Sequence, residues 1–271
     1  MQRRPCRSDN EIKSIDNMTL IAHISDLHIS KSEFDEGILM DAITEINNLG
    51  PDMIILTGDI TNNGYLVEFE QAKKYLEMFE APLFAIPGNH DSRNIGYQTF
   101  EEIIGERSWK LTMDEEFTVI GLDSSSPDES RGHIGNPQHM WLEHQLDECV
   151  INENFTIVAL HHHVVPIPQT GRERNVLSDA GDILKTLTTH EVDLVLSGHK
   201  HVSNIWKIND TLIVNAGSLC STKLRGRNKN SYNVYNITDN EIEIFLNEVN
   251  GENSFLDNIH VMNYKVHLNM E

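Results

Sequence analysis

Residues 53–59 read Met-Ile-Ile-Leu-Thr-Gly-Asp, an unbroken apolar run from Met53 to Leu56 halted by Thr57-Gly58-Asp59. Four apolar residues without polar alternation describe a strand covered on both faces, as in parallel sheets packed under helices. The chain repeats the theme on either side. Upstream, Leu20 to Ser25 is a second short apolar run that ends in Asp26-Leu27-His28. Apolar residues at helical spacing follow (Phe34, Ile38, Leu39, Ala42, Ile43, Ile46), and Pro51-Asp52 punctuates the chain. Downstream, Tyr65, Leu66, Phe69, Ala72, Tyr75, Leu76 and Phe79 form another helical stripe, which leads to Leu83 to Ile86 and then Pro87-Gly88-Asn89-His90-Asp91. This βαβαβ order predicts parallel strands joined by right-handed crossovers, hence an α/β fold.

The pattern continues less regularly. Phe117 to Leu122 and Phe155 to Leu160 read as buried strands, the first ending at Asp123 and the second in His161-His162-His163. Between them a polar loop, Ser124 to Asn136, precedes a helix that Pro137 suits in its first turn and that runs to about Cys149. A helix from about Ser178 to His190 leads to Asp193 to Leu196 and Ser197-Gly198-His199-Lys200-His201. Alternating strands then dominate: Val202 to Ile208, Thr211 to Val214, Ser231 to Ile237 and Glu241 to Val249.

Composition narrows the function. The 271 residues carry 21 Lys and Arg against 42 Asp and Glu, a formal charge of −21, which disfavours a surface built to hold a nucleic acid polymer. No stretch approaches the ~20 apolar residues that span a bilayer, so no membrane partner is expected. Residues 1–17 are charged, lack the apolar core of a secretory signal, and read as a disordered tail before a domain over 18–249. Residues 250–271 are an extension with scattered apolar positions, available either to pack on the body or to form a homodimer. Three distant cysteines (Cys6, Cys149, Cys220) make neither a disulfide framework nor a Cys-based zinc site, and they suggest a reducing cytoplasm.

The 14 histidines are the outlier. Five strand ends carry potential ligands: Asp26 and His28, Asp59, Asn89 and His90, His161 and His162, His199 and His201. In open α/β sheets, loops at the carboxyl ends of parallel strands converge on one crevice. If the strands persist, Asp26 and His28, like His199 and His201, point to one face about 6.6 Å apart at Cα. Singly, each cluster also suits a turn, a cap or surface polarity; their recurrence in order at successive strand ends favours one metal site. Carboxylate, amide oxygen and imidazole suit Mn, Fe or Zn. Seven or eight such ligands are too many for one ion, whereas two divalent ions ~3.5–4 Å apart, bridged by a carboxylate, would use them in a two-metal hydrolase.

Asp26-x-His28, Gly58-Asp59, Gly88-Asn89-His90-Asp91, His161-His162-His163 and Gly198-His199-Lys200-His201 together resemble the calcineurin-like metallophosphoesterase superfamily over about residues 20–217. Within it the chain looks most similar to the class III cyclic-nucleotide phosphodiesterases. The resemblance implies a two-sheet β-sandwich flanked by helices, with the late strands in the second sheet. It implies that Asp26, His28 and His201 bind one metal, that Asp59 bridges, and that Asn89, His199 and a histidine of the 161–163 run bind the other. Counting from the strand selects His161; counting back from the family's usual Pro, here Val164, selects His162; His161 is taken first, with His162 as the alternative. The implied mechanism is in-line attack on phosphorus by a metal-bridging hydroxide, with His90 stabilising the transition state or protonating the leaving oxygen. Asp91 would either orient His90 or cap the next segment, and Asn89 could also offer its NH2 to a phosphate oxygen.

Arg172 and Arg174 follow the histidine run, where they could grip substrate phosphate, although a solvated loop explains them somewhat better. Arg131, Gly132, His133, Lys223, Arg225 and Arg227 could add to the rim. His139, His144, His190, His260 and His267 show no partner pattern. The expected activity is hydrolysis of small phosphodiesters, 3′,5′-cyclic nucleotides among them. The alternatives are a phosphomonoesterase or nuclease using the same site, or an inactive metal-binding interaction module. Protein phosphatases of the superfamily carry an Arg shortly after the Gly-Asp motif; here Ile60-Thr61-Asn62-Asn63 follow, which disfavours that branch.

Overall fold

The computed structural model describes residues 18–113, 117–171, 176–238, 241–251 and 253–259. The first ninety residues fold as the apolar periodicity predicts: β1 (Thr19–Ile24), α1 (Glu36–Leu49), β2 (Met53–Leu56), α2 (Leu66–Leu76) and β3 (Leu83–Ala85). β1, β2 and β3 are parallel neighbours. α1 starts at Asp35, whose carboxylate accepts the Ile38 N–H at 3.1 Å, and stops at Gly50 in the left-handed conformation.

α3 (Gly96–Ile103) and β4 (Trp109–Met113) follow, two elements that the periodicity does not announce. β5 (Phe117–Leu122), α4 (Gly135–Asn152), β6 (Phe155–Leu160), α5 (Ala180–Thr189), β7 (Leu194–Ser197), β8 (Asn204–Ile208) and β9 (Thr211–Asn215) complete a second sheet with its helices. Pro137 does sit in the first turn of α4. The chain then returns to the first sheet as β10 (Ser231–Ile237), β11 (Ile242–Glu248) and β12 (Asn253–Ile259).

The sheet orders are β12-β11-β10-β1-β2-β3 and β4-β5-β6-β7-β9-β8. The expectation that all late strands build the second sheet is therefore corrected: β8 and β9 do, whereas β10 pairs antiparallel with β1 and carries β11 and β12 onto the first sheet. Local sequence does not encode this, because an alternating strand finds its partner by burial across the whole chain. β12 also takes the first sheet past residue 249 into the segment read as an extension.

Three apolar layers hold four structural ones together. α1, α2 and α3 cover the outer face of the first sheet through Leu39, Ile46, Phe69 and Phe100. α4 and α5 cover the second through Leu142, Leu146, Ile183 and Leu187. Between the sheets lie Ile21, Ile55, Ile157, Leu196, Val214 and Tyr235. This is the helix-flanked β-sandwich that the resemblance implied. Both parallel runs, β1-β2-β3 and β5-β6-β7, end at one rim of the sandwich, which puts the histidine- and aspartate-bearing loops together. Among the described residues no helix is long and apolar enough to cross a membrane.

Candidate metal centre

The ligand pairs meet by a different route from the one expected. β1 stops at Ile24 and β7 at Ser197, so strand alternation does not align the pairs. Instead Asp26 (φ 54°), His28 (φ 51°), Asp59 (φ 52°), His199 (φ 73°) and His201 (φ 55°) all adopt the left-handed conformation. Such residues cost roughly 1–3 kcal/mol each and persist where their surroundings fix them. Here backbone bonds across the rim do so: Asp26 N–H to Gly58 O at 3.0 Å, His28 N–H to Asp59 O at 2.9 Å, and Gly198 N–H to His161 O at 3.0 Å.

The loops after β2 and β3 lie face to face, and their glycines are required by that approach. Gly58 has φ 86°, and a Cβ there would stand 2.6 Å from the Gly88 nitrogen. A Cβ on Gly88 would overlap the backbone nitrogen and carboxylate of Asp59. The fully buried Asp91 carboxylate binds the two loops, accepting from Gly88 N–H (2.9 Å), Ile60 N–H (3.1 Å), Thr61 N–H (2.8 Å) and the Thr61 hydroxyl (2.9 Å). Asp91 thus fills neither expected role: its oxygens serve Gly88, Ile60 and Thr61 rather than the His90 ring or the segment that follows, and other groups orient His90.

Seven side chains present donor atoms to one cluster. Asp26 Oδ1 stands 3.2 Å from His201 Nε2 and 3.8 Å from His28 Nε2. Asp59 Oδ2 lies between the halves, 3.7 Å from His28 Nε2 and 3.4 Å from His161 Nε2. His161 Nε2 faces Asn89 Oδ1 at 3.3 Å and His199 Nδ1 at 3.2 Å. Backbone carbonyls fix two tautomers. His161 Nδ1 donates to Thr57 O at 2.7 Å and His201 Nδ1 donates to Lys223 O at 2.7 Å, which leaves each Nε2 of the neutral ring as a lone pair aimed inward.

The donor set fits divalent cations. Potential ligand atoms crowd together: His201 Nε2 is 3.0 Å from His28 Nε2, and His161 Nε2 is 3.3 Å from the Asn89 amide oxygen. Asp26 Oδ1 is fully buried without a hydrogen-bond partner. Converging acceptors with no hydrogen between them need a cation or a proton. The protonation pattern agrees. Burial pushes Asp26 and Asp59 up, but the surrounding histidines outweigh it and hold both carboxylates below the usual range. Burial pulls His161 down, yet the Asp59 charge prevails and raises it to about 9.

Of the two histidines left open, His161 supplies the Nε2 beside Asp59 and Asn89. His162 offers a ring nitrogen within 4.8 Å of donors of His161 and His199, but its Nδ1 pairs with Ser124 Oγ at 2.9 Å and its buried Nε2 is without a hydrogen-bond partner. Its ring packs 4.6 Å from that of His199, and a Cβ on Gly132 would strike it.

His90 sits at the edge of the cluster. Its ring meets that of His28 edge-on at 4.5 Å, and its backbone N–H donates to Asp59 Oδ1 at 2.8 Å. Its Nδ1 is 2.7 Å from Asn62 O, and its Nε2 is 2.9 Å from Nη2 of Arg93. Burial lowers its pKa to about 4, against the pull of Asp59.

Arg93 and Asn62 escaped the sequence reading, although Arg93 stands only two residues past the Asn-His-Asp motif. His23 escaped too. It is fully buried between the sheets, with Nε2 2.9 Å from Thr57 Oγ1 and Nδ1 2.9 Å from the Tyr235 hydroxyl. It thereby braces the residue whose carbonyl orients His161. Arg172 and Arg174 lie outside the described residues. Arg131, Arg225 and Arg227 are exposed, and the loop containing the latter two reaches the site through the Lys223 carbonyl. His144 and His190 lie near Glu148 (3.7 Å) and Asp147 (3.4 Å), and His139 pairs with Thr186 at 2.7 Å; none joins the centre.

Comparison with known proteins agrees with this geometry. The family model described as calcineurin-like phosphoesterase matches residues 19–203. A protein of Arcobacter nitrofigilis named "Probable glycerophosphodiester phosphodiesterase GpdQ" is 32% identical over 222 residues, covering 73% of this chain and 78% of its own. A "Probable cyclic nucleotide phosphodiesterase" of Vesicomyosocius okutanii is 26% identical over 232 residues, covering 83% and 95%. Among solved structures, a dimetal phosphatase from Danio rerio superposes with a TM-score of 0.69 at 11% identity, covering 89% of this chain and 99% of that one. With the family model spanning well over half of its length, the chain belongs to the calcineurin-like phosphoesterases, enzymes that hydrolyse phosphoric esters with the help of divalent metal ions.

Proposed function

We propose that this chain is a binuclear phosphodiesterase acting on small diesters, 3′,5′-cyclic nucleotides among them. The observation that carries the reading is Asp59 Oδ2, placed between His28 Nε2 at 3.7 Å and His161 Nε2 at 3.4 Å, where one carboxylate oxygen can serve two ions. Asp26, His28 and His201 would hold one ion and Asn89, His161 and His199 the other, with Asp59 shared between them. Two divalent ions there supply Lewis acidity and neutralise charge developing on phosphorus.

The protein's own groups do the rest. The carbonyls of Thr57 and Lys223 accept from Nδ1 of His161 and His201 and so keep both rings turned with Nε2 inward. Asp91 holds the loops that carry Asp59 and Asn89 at fixed separation. Asn89 directs its amide oxygen inward, which leaves its NH2 for a phosphate oxygen. His90 and Arg93 stand at the mouth, where a diester's second ester group would lie. The names of the relatives, covering cyclic nucleotides and glycerophosphodiesters, support a diester over a monoester. The net charge of −21 favours a small substrate over a long polyanion.

The test is a side-by-side rate assay of Mn²⁺-loaded protein on 3′,5′-cyclic AMP, glycerophosphodiesters, bis(p-nitrophenyl) phosphate and p-nitrophenyl phosphate, with metal content measured on the same sample. The reading predicts about two metals per chain and faster diester turnover. Faster monoester turnover would overturn the diesterase assignment, and one metal per chain would overturn the bridging role of Asp59.

A further inference from the structure

Arg93 lies outside every motif the sequence offers, yet it touches the group that the family resemblance would make the proton donor. Its Nη2 is 2.9 Å from His90 Nε2 and its Nη1 is 2.9 Å from Asn62 O. The same Asn62 carbonyl lies 2.7 Å from His90 Nδ1. A carbonyl only accepts and a guanidinium only donates, so the hydrogen positions are fixed by chemistry. Nδ1 carries the proton of the neutral ring, and Nε2 is a lone pair that accepts from Arg93. Neither ring nitrogen has an N–H left for a substrate.

Two acceptors thus form a fork for the paired Nη groups of one guanidinium, the geometry to which arginine is suited and lysine is not. The usual structural reason for a half-buried arginine is a carboxylate, and among the described residues none pairs with Arg93, whereas Arg107 has both Glu101 and Asp123. The His90 ring on which Arg93 rests packs edge-on against His28 at the edge of the donor cluster. The guanidinium therefore brings a positive charge with no carboxylate partner among the described residues to the edge of the donor cluster.

We propose that Arg93 is the residue that donates hydrogen bonds to an anionic oxygen of the substrate on this side of the site, and that His90 is its positioning residue. This rests on the phosphoesterase site proposed above and reverses the expected division of labour. His90 holds Arg93 by accepting, and no proton passes from its Nε2 to the leaving oxygen.

The test combines tautomer, binding and rate. ¹⁵N-detected imidazole spectra of the metal-free and Zn²⁺-loaded full-length chain, with His90 assigned by loss of its signal in His90→Gln, should show the proton on Nδ1. This is read whether or not the protein turns over any diester, so it fails or succeeds separately from the function assignment. Arg93→Met should keep its metal content while the inhibition constant for inorganic phosphate rises about tenfold and kcat/KM on bis(p-nitrophenyl) phosphate falls about a hundredfold. His90→Leu should lose a similar factor, and His90→Gln, whose amide oxygen can still accept from Arg93, should regain at least tenfold of it. A proton on Nε2 in the wild type overturns the proposal. So does an Arg93→Met variant with unchanged phosphate affinity, or a His90→Gln as impaired as His90→Leu.

Discussion

His23 offers a test of the scaffold behind the centre that needs no metal. Its ring is fully buried between the sheets, and burial holds its pKa near 3 against the opposing pull of Asp26. In the unfolded chain the same imidazole titrates near 6.5. Between these values the unfolded state binds a proton that the native state does not, so stability must rise with pH across the window and fall as the solution is acidified. Below 6.5 each pH unit multiplies the unfolding constant by ten. The full span to pH 3 amounts to about 5 kcal/mol, and about 3 kcal/mol is lost by pH 4. His23→Gln removes the titration while leaving an amide to face Thr57 and Tyr235. Urea unfolding of both proteins in chelator, from pH 7 to pH 4, cancels the carboxylates and histidines they share. The wild type minus variant difference should be flat above pH 6.5 and then shrink by about 3 kcal/mol by pH 4. A difference constant within about 1 kcal/mol over that range would mean that the ring charges inside the fold, and the account of the bracing network would be wrong.

Three further outcomes follow from the site. Asp59→Asn, which removes the charge proposed to bridge the two ions, should reduce metal content from about two to one or fewer per chain and lower diester turnover at least a hundredfold, with the metal-free circular dichroism spectrum unchanged. His161→Asn should likewise lose a metal, whereas His162→Asn should keep both, as read by elemental analysis after gel filtration; the reverse pattern would exchange the two assignments. Asp91→Ala leaves three buried N–H groups without their acceptor at roughly 1–3 kcal/mol each, so urea unfolding of the metal-free protein should show a loss of about 3–9 kcal/mol, and a loss below 1 kcal/mol would refute the role of Asp91 in tying the loops together.

What the sequence disclosed, and what it withheld, follows from the range of the interactions. Strands such as Met53–Leu56 and Phe155–Leu160 announce themselves because burial on both faces demands an unbroken apolar run. The ligand-bearing loops were legible because the chemistry they need is confined to a few residue types at fixed spacing. Their geometry was not: left-handed turns at Asp26, His28, Asp59, His199 and His201 depend on bonds from the neighbouring loops. β4 and β12 are edge strands that pair only with their sequence neighbours β5 and β11, and α3 is eight residues long, too short for Tyr97, Phe100 and Ile103 to stand out as a stripe. His23 and Arg93 look ordinary in the chain, since the first is defined by Thr57 and Tyr235 and the second by Asn62.

The centre is also a joint. Asp26, His28, Asp59 and Asn89 hang from the first sheet, and His161, His199 and His201 from the second. The layer between the sheets is apolar apart from a few groups such as His23, and apolar contact alone fixes a separation more firmly than it fixes a sliding register. At the rim the register is set by directional bonds: the His199 N–H donates to Asp26 Oδ2 at 3.0 Å, the Leu219 N–H to Ser25 O at 2.9 Å, and the Ser218 hydroxyl to Asp26 O at 2.7 Å. Each proposed ion draws ligands from both sheets, His201 with Asp26 and His28 on one side, His161 and His199 with Asn89 on the other. An ion that binds only the native arrangement stabilises it by RT ln(1 + [L]/Kd), about 4 kcal/mol at a thousandfold excess over Kd. That energy is stored across the sheet-to-sheet seam. Chelation should therefore loosen the rim loops first and leave the helix-covered outer faces protected in hydrogen exchange, while uniform loss of protection would show that the sandwich does not need the joint.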